Sequence, residues 1–168
     1  MPKIIRDLES KLIEEAKKQI EEAGYGAVTI RSVAKGCGVG VGTVYNYFSS
    51  KDELLATYML SDWNSCITAI QAVSTYCDEP GPVVRCIYDQ LVAYARRHSA
   101  VFRDEAAAVA FAGSFGRYHA LLRSQLATPL RKFCDSDFAA EFAAEALLTW
   151  TMSGKDFQEI YGMIDRIF

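Results

Sequence analysis

The chain has 168 residues, of which 51% are hydrophobic and 23% are charged, and its formal net charge is −3. It is long enough and apolar enough to bury a core, and the sequence predicts neither a signal peptide nor a membrane-spanning segment. The five cysteines are odd in number and lack Cys-x-x-Cys spacing, which argues against a disulfide framework and favours a reduced, cytoplasmic protein.

The first predicted element is an amphipathic helix that ends at Gly24. Its apolar side is formed by residues that recur at steps of three or four: Ile5, Leu8, Leu12, Ala16, Ile20 and Ala23. Its other side mixes Lys and Glu, as an ordinary solvated helix face does. We expect this helix to pack across the two short helices that follow and to complete a three-helix head.

The next segment predicts two short helices joined by a tight turn. Thr29 is suited to cap the first helix, and Gly38 can adopt the left-handed conformation that ends it. Val39 would then tuck between the helices, and Ala34 would allow their close approach. The pattern is that of a helix-turn-helix, whose second helix fits the DNA major groove.

The second short helix is predicted to have a buried and an exposed side. We expect Val44, Tyr45 and Phe48 to be buried. The opposite side would present an uncharged surface with hydrogen-bonding groups to DNA, formed by Val41, Gly42, Thr43, Asn46 and Tyr47.

Charge placement supports a DNA-binding role for this segment. No Asp or Glu occurs from Ala23 through Lys51, whereas Arg31, Lys35 and Lys51 lie within or beside the motif. Residues 1–51 contain eight Lys and Arg against six Asp and Glu, a net charge of +2, and the remainder carries −5. A locally positive surface can bind phosphates even in an acidic protein.

The rest of the chain predicts further helices. Ser50 and Glu53 form a capping box that starts a long helix, and the turn-forming residues 78–82 interrupt the helical pattern. Helical periodicity resumes thereafter and continues to the C-terminus, without any useful stretch of strand-like alternation. We therefore expect an all-α protein, with a helix-turn-helix domain at residues 1–50 and a larger helical domain at residues 51–168.

The segment from Gly38 through Leu54, Gly-Val-Gly-Val-Gly-Thr-Val-Tyr-Asn-Tyr-Phe-Ser-Ser-Lys-Asp-Glu-Leu, resembles the signature of TetR-family transcriptional regulators. With the residues from Ala23 onward, the resemblance covers roughly the first third of the chain. It implies that Thr43, Tyr47 and Lys51 contact DNA and that the helix starting near Thr29 points its N-terminus at a phosphate. Two positions depart from the family pattern: Gly40 replaces a common capping serine, and Val41 replaces a residue that is often polar or basic.

The resemblance also implies a dimeric repressor that binds a palindromic operator and releases it when a small-molecule effector binds. The last two helices would form the dimer interface, although their apolar residues could instead belong to one core. Candidate effector-binding residues are the aromatic side chains of the larger domain, which could equally be core residues: Trp63, Tyr94, Phe102, Phe111, Phe115, Tyr118 and Trp150.

Other functions have less support in the sequence. The departures at Gly40 and Val41 leave open a small-molecule carrier whose head no longer binds DNA. No catalytic triad, metal-ligand cluster or phosphate-binding loop points to an enzyme, a metal site or a cofactor. Cys66, Cys77 and Cys86 could belong to a redox or metal sensor, or could be incidental thiols.

Overall fold

The computed structural model describes residues 7–112 and 115–168, except for the side chains of residues 115–117. These residues form helices and turns and contain no strand, which confirms the predicted all-α fold class. The ten α-helices of this part are α1 Leu8–Ala23, α2 Ile30–Gly36, α3 Val41–Tyr45, α4 Lys51–Tyr76, α5 Pro80–Arg97, α6 Ser99–Phe102, α7 Glu105–Phe111, α8 Phe115–Ala127, α9 Asp137–Met152 and α10 Phe157–Ile164. Short 3₁₀ helices cover Tyr25–Ala27, Thr128–Phe133 and Asp165–Ile167.

Several helix boundaries lie where the sequence predicts them. Gly24 ends α1 with a φ of +80°, and Gly154 follows α9 with a φ of +83°, so both use the left-handed conformation that glycine adopts readily. The prediction that residues 78–82 lie outside a helix is wrong in part, because α5 begins at Pro80. Proline is tolerated in a first helical turn, where its missing N–H would have no helical partner.

The start of α4 also differs in detail from the predicted capping box. The Ser50 hydroxyl accepts a hydrogen bond from the Glu53 amide at 3.1 Å, as expected. The Glu53 carboxylate, however, accepts hydrogen bonds from the amide and hydroxyl of Ser49 instead of from Ser50. These bonds hold the pKa of Glu53 below its usual value.

The chain divides into two compact units. The first contains residues through Ser61 together with His98–Ala112, and the second contains Asp62–Arg97 with the C-terminal part of the chain. This division differs from the expected one at residues 50 and 51. The reason is that α6 and α7 supply Val101 and Ala107, 5% and 1% exposed, to the core of the first unit.

The first unit has a core of its own. Its buried side chains come mainly from the N-terminal helices and the first turn of α4: Leu8, Leu12, Ala16, Ile20, Tyr25, Val28, Ile30, Val33, Ala34, Val44, Phe48, Leu54 and Leu55. This core holds α1 against α2, and α2 against α3. The predicted three-helix head is therefore confirmed as a packed unit.

The second unit is centred on α9. This helix packs against α5, α8 and α10, and its alanines at positions 140, 143 and 144 are fully buried. Small side chains at these positions allow neighbouring helices to approach closely. Among the helices of residues 7–112 and 115–168, none has both the length and the apolar character required to cross a membrane.

Candidate nucleic-acid interface

The N-terminus of α2 is fixed by reciprocal hydrogen bonds. The Thr29 hydroxyl accepts a bond from the Ser32 amide, and the Ser32 hydroxyl oxygen accepts one from the Thr29 amide, both at 3.0 Å. The Ser32 hydroxyl in turn donates to the Gln19 side-chain carbonyl of α1 at 2.6 Å. The cap at Thr29 is as predicted, whereas Ser32 and Gln19 went unrecognised; serine three residues after threonine was the available signal.

The turn between α2 and α3 fixes the direction of α3. Gly38 has a φ of +67°, and the amide of Val39 donates to the carbonyl of Ala34 at 2.9 Å. Ala34 is 1% exposed, and Val39 packs against the core of the first unit. The predicted roles of these three residues are confirmed.

One side of α3 anchors it to the head. Val44 and Phe48, four residues apart, are 0% and 3% exposed. Gly40 precedes the helix with an extended backbone and makes no side-chain cap. A β-carbon built at Gly40 would lie 3.7 Å from the Thr43 hydroxyl, an ordinary contact distance, so the position has room for a capping side chain.

The other side of α3 carries the residues predicted to face DNA. Gly42, Asn46 and Tyr47 are exposed, while Val41 and Thr43 are half-buried. Space around Gly42 is open, because a β-carbon there would meet no atom within 4 Å. The structure brings the five predicted residues together, with the half-buried Val41 and Thr43 at the margin of the surface. The second helix is shorter than predicted: α3 ends at Tyr45, so Asn46 and Tyr47 lie in the turn that follows it.

Tyr45 corrects the sequence-based interpretation. It was expected to be buried, but its side chain is 55% exposed, more than the 44% of Tyr47. Val44 and Phe48 lie on one stripe of the helix, and position 45 is about 100° away from Val44 around the axis. The four-residue spacing of the two buried residues was the signal that would have placed Tyr45 outside, beside the predicted surface.

The basic residues of the segment have different environments. Arg31 and Lys35 are exposed on α2. Lys51 is half-buried at the start of α4, where its ammonium donates to the carbonyl of Tyr25 at 3.2 Å and lies 4.1 Å from the centre of the Tyr25 ring. These three cations carry the only formal side-chain charges between Ala23 and Lys51.

Tyr25 is itself held by a carboxylate. Its hydroxyl donates a hydrogen bond to Asp52, the residue after Lys51. Burial, together with this bond and the negative charge of Asp52, raises the pKa of Tyr25. The phenol therefore stays protonated at neutral pH and remains the donor in this contact.

The candidate effector residues do not share one environment. Trp63 is buried, donates its indole N–H to Gln125 at 2.6 Å and meets Tyr94 edge-on with ring centres 5.5 Å apart, so these two are packed core residues of the second unit. Phe102 and Phe111 belong to the first unit, where Phe102 is 47% exposed and Phe111 packs against the core. In the division of the chain into compact units, both therefore lie outside the second unit.

Two of the remaining effector candidates are exposed. Tyr118 and Trp150 are 43% and 51% exposed, and the side chain of Phe115 lies outside the described residues. A shallow depression of about 150 Å³ lies on α9 and is lined by Phe142, Glu145, Ala146, Thr149 and Trp150. Ligand sites are typically about 300–1,000 Å³, so this depression alone is small for an effector.

The sequence also left open a redox or metal sensor built on cysteines. Each cysteine of the described residues is a free thiol, and burial raises the pKa of Cys66 although the Arg97 guanidinium lies 3.4 Å from its sulfur. In the part of the chain that the structure describes, no three His, Cys, Asp or Glu side chains are grouped as metal ligands.

The three-helix head, with its glycine turn and exposed α3, defines a helix-turn-helix protein. Residues 12–58 match the family model described as bacterial regulatory proteins, tetR family. The uncharacterized HTH-type transcriptional regulator YuxN of Bacillus subtilis (strain 168) is 30% identical over 81 residues, which cover 48% of this chain. The same match spans only 28% of YuxN. Residues 12–58 therefore resemble the N-terminal domain of tetR-family regulators, and the likeness in sequence is confined to this region and its surroundings.

Solved structures support the fold over nearly the whole chain. A putative transcriptional regulator, SCO7518 from Streptomyces coelicolor A3(2), superposes with a TM-score of 0.71 and 14% identity, covering 94% of this chain and 96% of that one. SmeT in its complex with triclosan gives a TM-score of 0.67 and 15% identity, covering 93% and 88%. Both likenesses extend through the C-terminal helices and show a shared fold.

We predict that Gly40→Ser stabilises the protein by about 0.5–1 kcal/mol, because serine can cap α3 and restricts the unfolded chain. Gly38→Ser is the matched control and should destabilise by about 1–2 kcal/mol, since φ at position 38 is left-handed. Urea unfolding measures both changes. Destabilisation by Gly40→Ser would contradict the assignment of Gly40 as an uncapped helix start.

Proposed function

We propose that this protein is a DNA-binding transcriptional repressor that docks α3 in the major groove. The observation that supports it most directly is that Gly42, Asn46 and Tyr47 are exposed on α3 and the turn after it. Val44 and Phe48 are buried and fix the inward side of the same segment. Because the inward side of this segment is packed in the core, its exposed side chains can contact base edges without an ordering step on binding. Because no Asp or Glu occurs from Ala23 through Lys51, this segment carries no negative side chain that would repel DNA phosphates.

The proposed repressor acts as a homodimer. On α9, Phe138, Phe142 and Trp150 are 75%, 55% and 51% exposed, and on α10 Met163 is 80% exposed. Large side chains this exposed and aligned along one helix favour burial against a partner. A twofold dimer would present two α3 helices about 34–36 Å apart, or a multiple of that distance, and would therefore select a palindromic operator.

Release from DNA is proposed to follow the binding of a small apolar or amphipathic molecule to the second unit. The aromatic side chains of this unit, and the fold it shares with a protein solved in complex with triclosan, support this step. In one conformation of the dimer, the distance between the two heads would not match adjacent major grooves. An effector that binds this conformation more tightly would shift the population away from the DNA-bound state.

Selection from a pool of random DNA duplexes tests the proposal. We expect the wild-type protein to enrich a palindrome and Tyr47→Ala to bind it about five- to thirtyfold more weakly, because an exposed contact group is lost. Tyr76→Ala removes a tyrosine that is 87% exposed at the end of α4 and should bind normally. If wild type enriches no sequence, the proposal is overturned and the carrier alternative is favoured.

Gly42→Ala distinguishes the effect of position 42 on stability from its effect on DNA affinity. The open space at Gly42 and its helical backbone predict a gain of about 0.5 kcal/mol in stability. The added methyl group should nevertheless weaken DNA binding by about 1 kcal/mol or more if α3 packs closely in the groove. Thermal unfolding and fluorescence anisotropy with the enriched duplex measure the two effects.

Gly162→Ala is the control for this prediction. It makes the same chemical change at an exposed position of α10 where a β-carbon also meets nothing within 4 Å. Because α10 belongs to the proposed dimer interface, sedimentation velocity first checks that this variant stays dimeric, and its DNA affinity should then be unchanged. Unchanged affinity in Gly42→Ala as well would show that no close approach occurs at α3.

Sedimentation velocity tests the proposed dimer. Phe142→Glu should raise the dimer dissociation constant about a hundredfold or more, because a carboxylate would be buried without a partner. Tyr76→Glu, which changes an aromatic residue that is 87% exposed at the end of α4, should remain dimeric. A wild-type protein that stays monomeric, or a dimer that tolerates Phe142→Glu, would refute this assignment.

A further inference from the structure

The 3₁₀ turn Tyr25–Ala27 is bound to the start of α4 through a single residue. The side chain of Tyr25, 2% exposed, donates its hydroxyl to the carboxylate of Asp52. Its carbonyl accepts the ammonium of Lys51 at 3.2 Å, and its ring lies 4.1 Å beneath the same ammonium. Tyr25 therefore contacts both of the first two residues of α4.

The same turn is held from its other side by α7. The Asp104 carboxylate caps α7 through the amides of Ala106 and Ala107, at 2.9 and 3.1 Å, and also accepts the amide of Gly26 at 3.3 Å. The ring centre of Phe111 lies 6.1 Å from that of Tyr25. Tyr25 is thus fixed by residues that lie about eighty positions further along the chain.

This arrangement restricts Lys51 before any DNA arrives. A lysine side chain ordinarily loses rotamer entropy when its ammonium is fixed. Here the ammonium is already placed by a carbonyl and an aromatic ring. Because it has three N–H donors and gives one to Tyr25, it retains donors for a phosphate oxygen.

We propose that Tyr25 is a positioning residue for DNA binding, which holds the Lys51 ammonium in place for a phosphate and connects that contact to α7 through Asp104 and Phe111. The inference rests on the proposed function, since it requires Lys51 to contact DNA. It assigns to Tyr25 a role that acts only through Lys51. Losing the phenol hydroxyl would free the Asp52 carboxylate to compete for the neighbouring ammonium.

A double-mutant cycle with the enriched duplex tests this role. Tyr25→Phe keeps the ring and the carbonyl, and should weaken binding roughly three- to tenfold when Lys51 is present. In the Lys51→Met background, which keeps the aliphatic stem without the charge, the same change should alter affinity less than about twofold. A general structural defect would instead weaken both backgrounds equally and would overturn the inference.

The salt dependence of binding gives a second readout. Lys51→Met should lower the slope of log affinity against log salt by about one, and Tyr25→Phe should lower it part of the way without removing any charge. Tyr76→Phe removes an exposed phenol elsewhere and should leave the slope unchanged. A wild-type slope in Lys51→Met or in Tyr25→Phe would overturn the inference.

Asp104→Ser tests whether α7 influences the proposed contact of Lys51 with DNA. Serine can still cap α7 but is too short to span to Gly26 as well, so we expect a loss of affinity that again depends on Lys51. If Asp104→Ser lowers DNA affinity by the same factor with and without Lys51→Met, the connection to α7 is contradicted. Failure of wild type to enrich any duplex would instead remove the proposed function, so the two failures are distinguishable.

Discussion

The close packing of α2 against α3 is the constraint on which the head depends. It requires a left-handed residue at Gly38, a small side chain at Ala34 and an apolar one at Val39. These conditions set the direction in which α3 leaves the turn, and Val44 then fixes its rotation about the axis. Every side chain that faces outward from α3 takes its position from these inward contacts.

The sequence could predict this part of the fold because each of its signals is local. Thr29, Gly38 and Gly24 act on backbone atoms within a few residues of themselves, so their roles follow from short-range geometry. The error at Tyr45 has the same origin. A five-residue helix offers too little periodicity to define its buried stripe unless Val44 and Phe48 are weighed together.

Other features depend on contacts that are remote in sequence and could not be inferred from periodicity. Phe111 has the same aromatic character as Trp63, yet the first packs on the head and the second is hydrogen-bonded to Gln125 in the core of the other unit. From composition alone, both are large aromatic side chains that could line a ligand pocket. Only the tertiary arrangement separates them, and it does so through partners that lie tens of residues away.

The contribution of Val101 and Ala107 to the head has a consequence for protein synthesis. The N-terminal helices emerge first from the ribosome, but their core stays open to water until the residues of α7 have been translated. A fragment that stopped after the first turn of α4 would expose the apolar surface that these two residues cover. The core of the first unit is thus completed only after the synthesis of a segment that lies outside the helix-turn-helix motif.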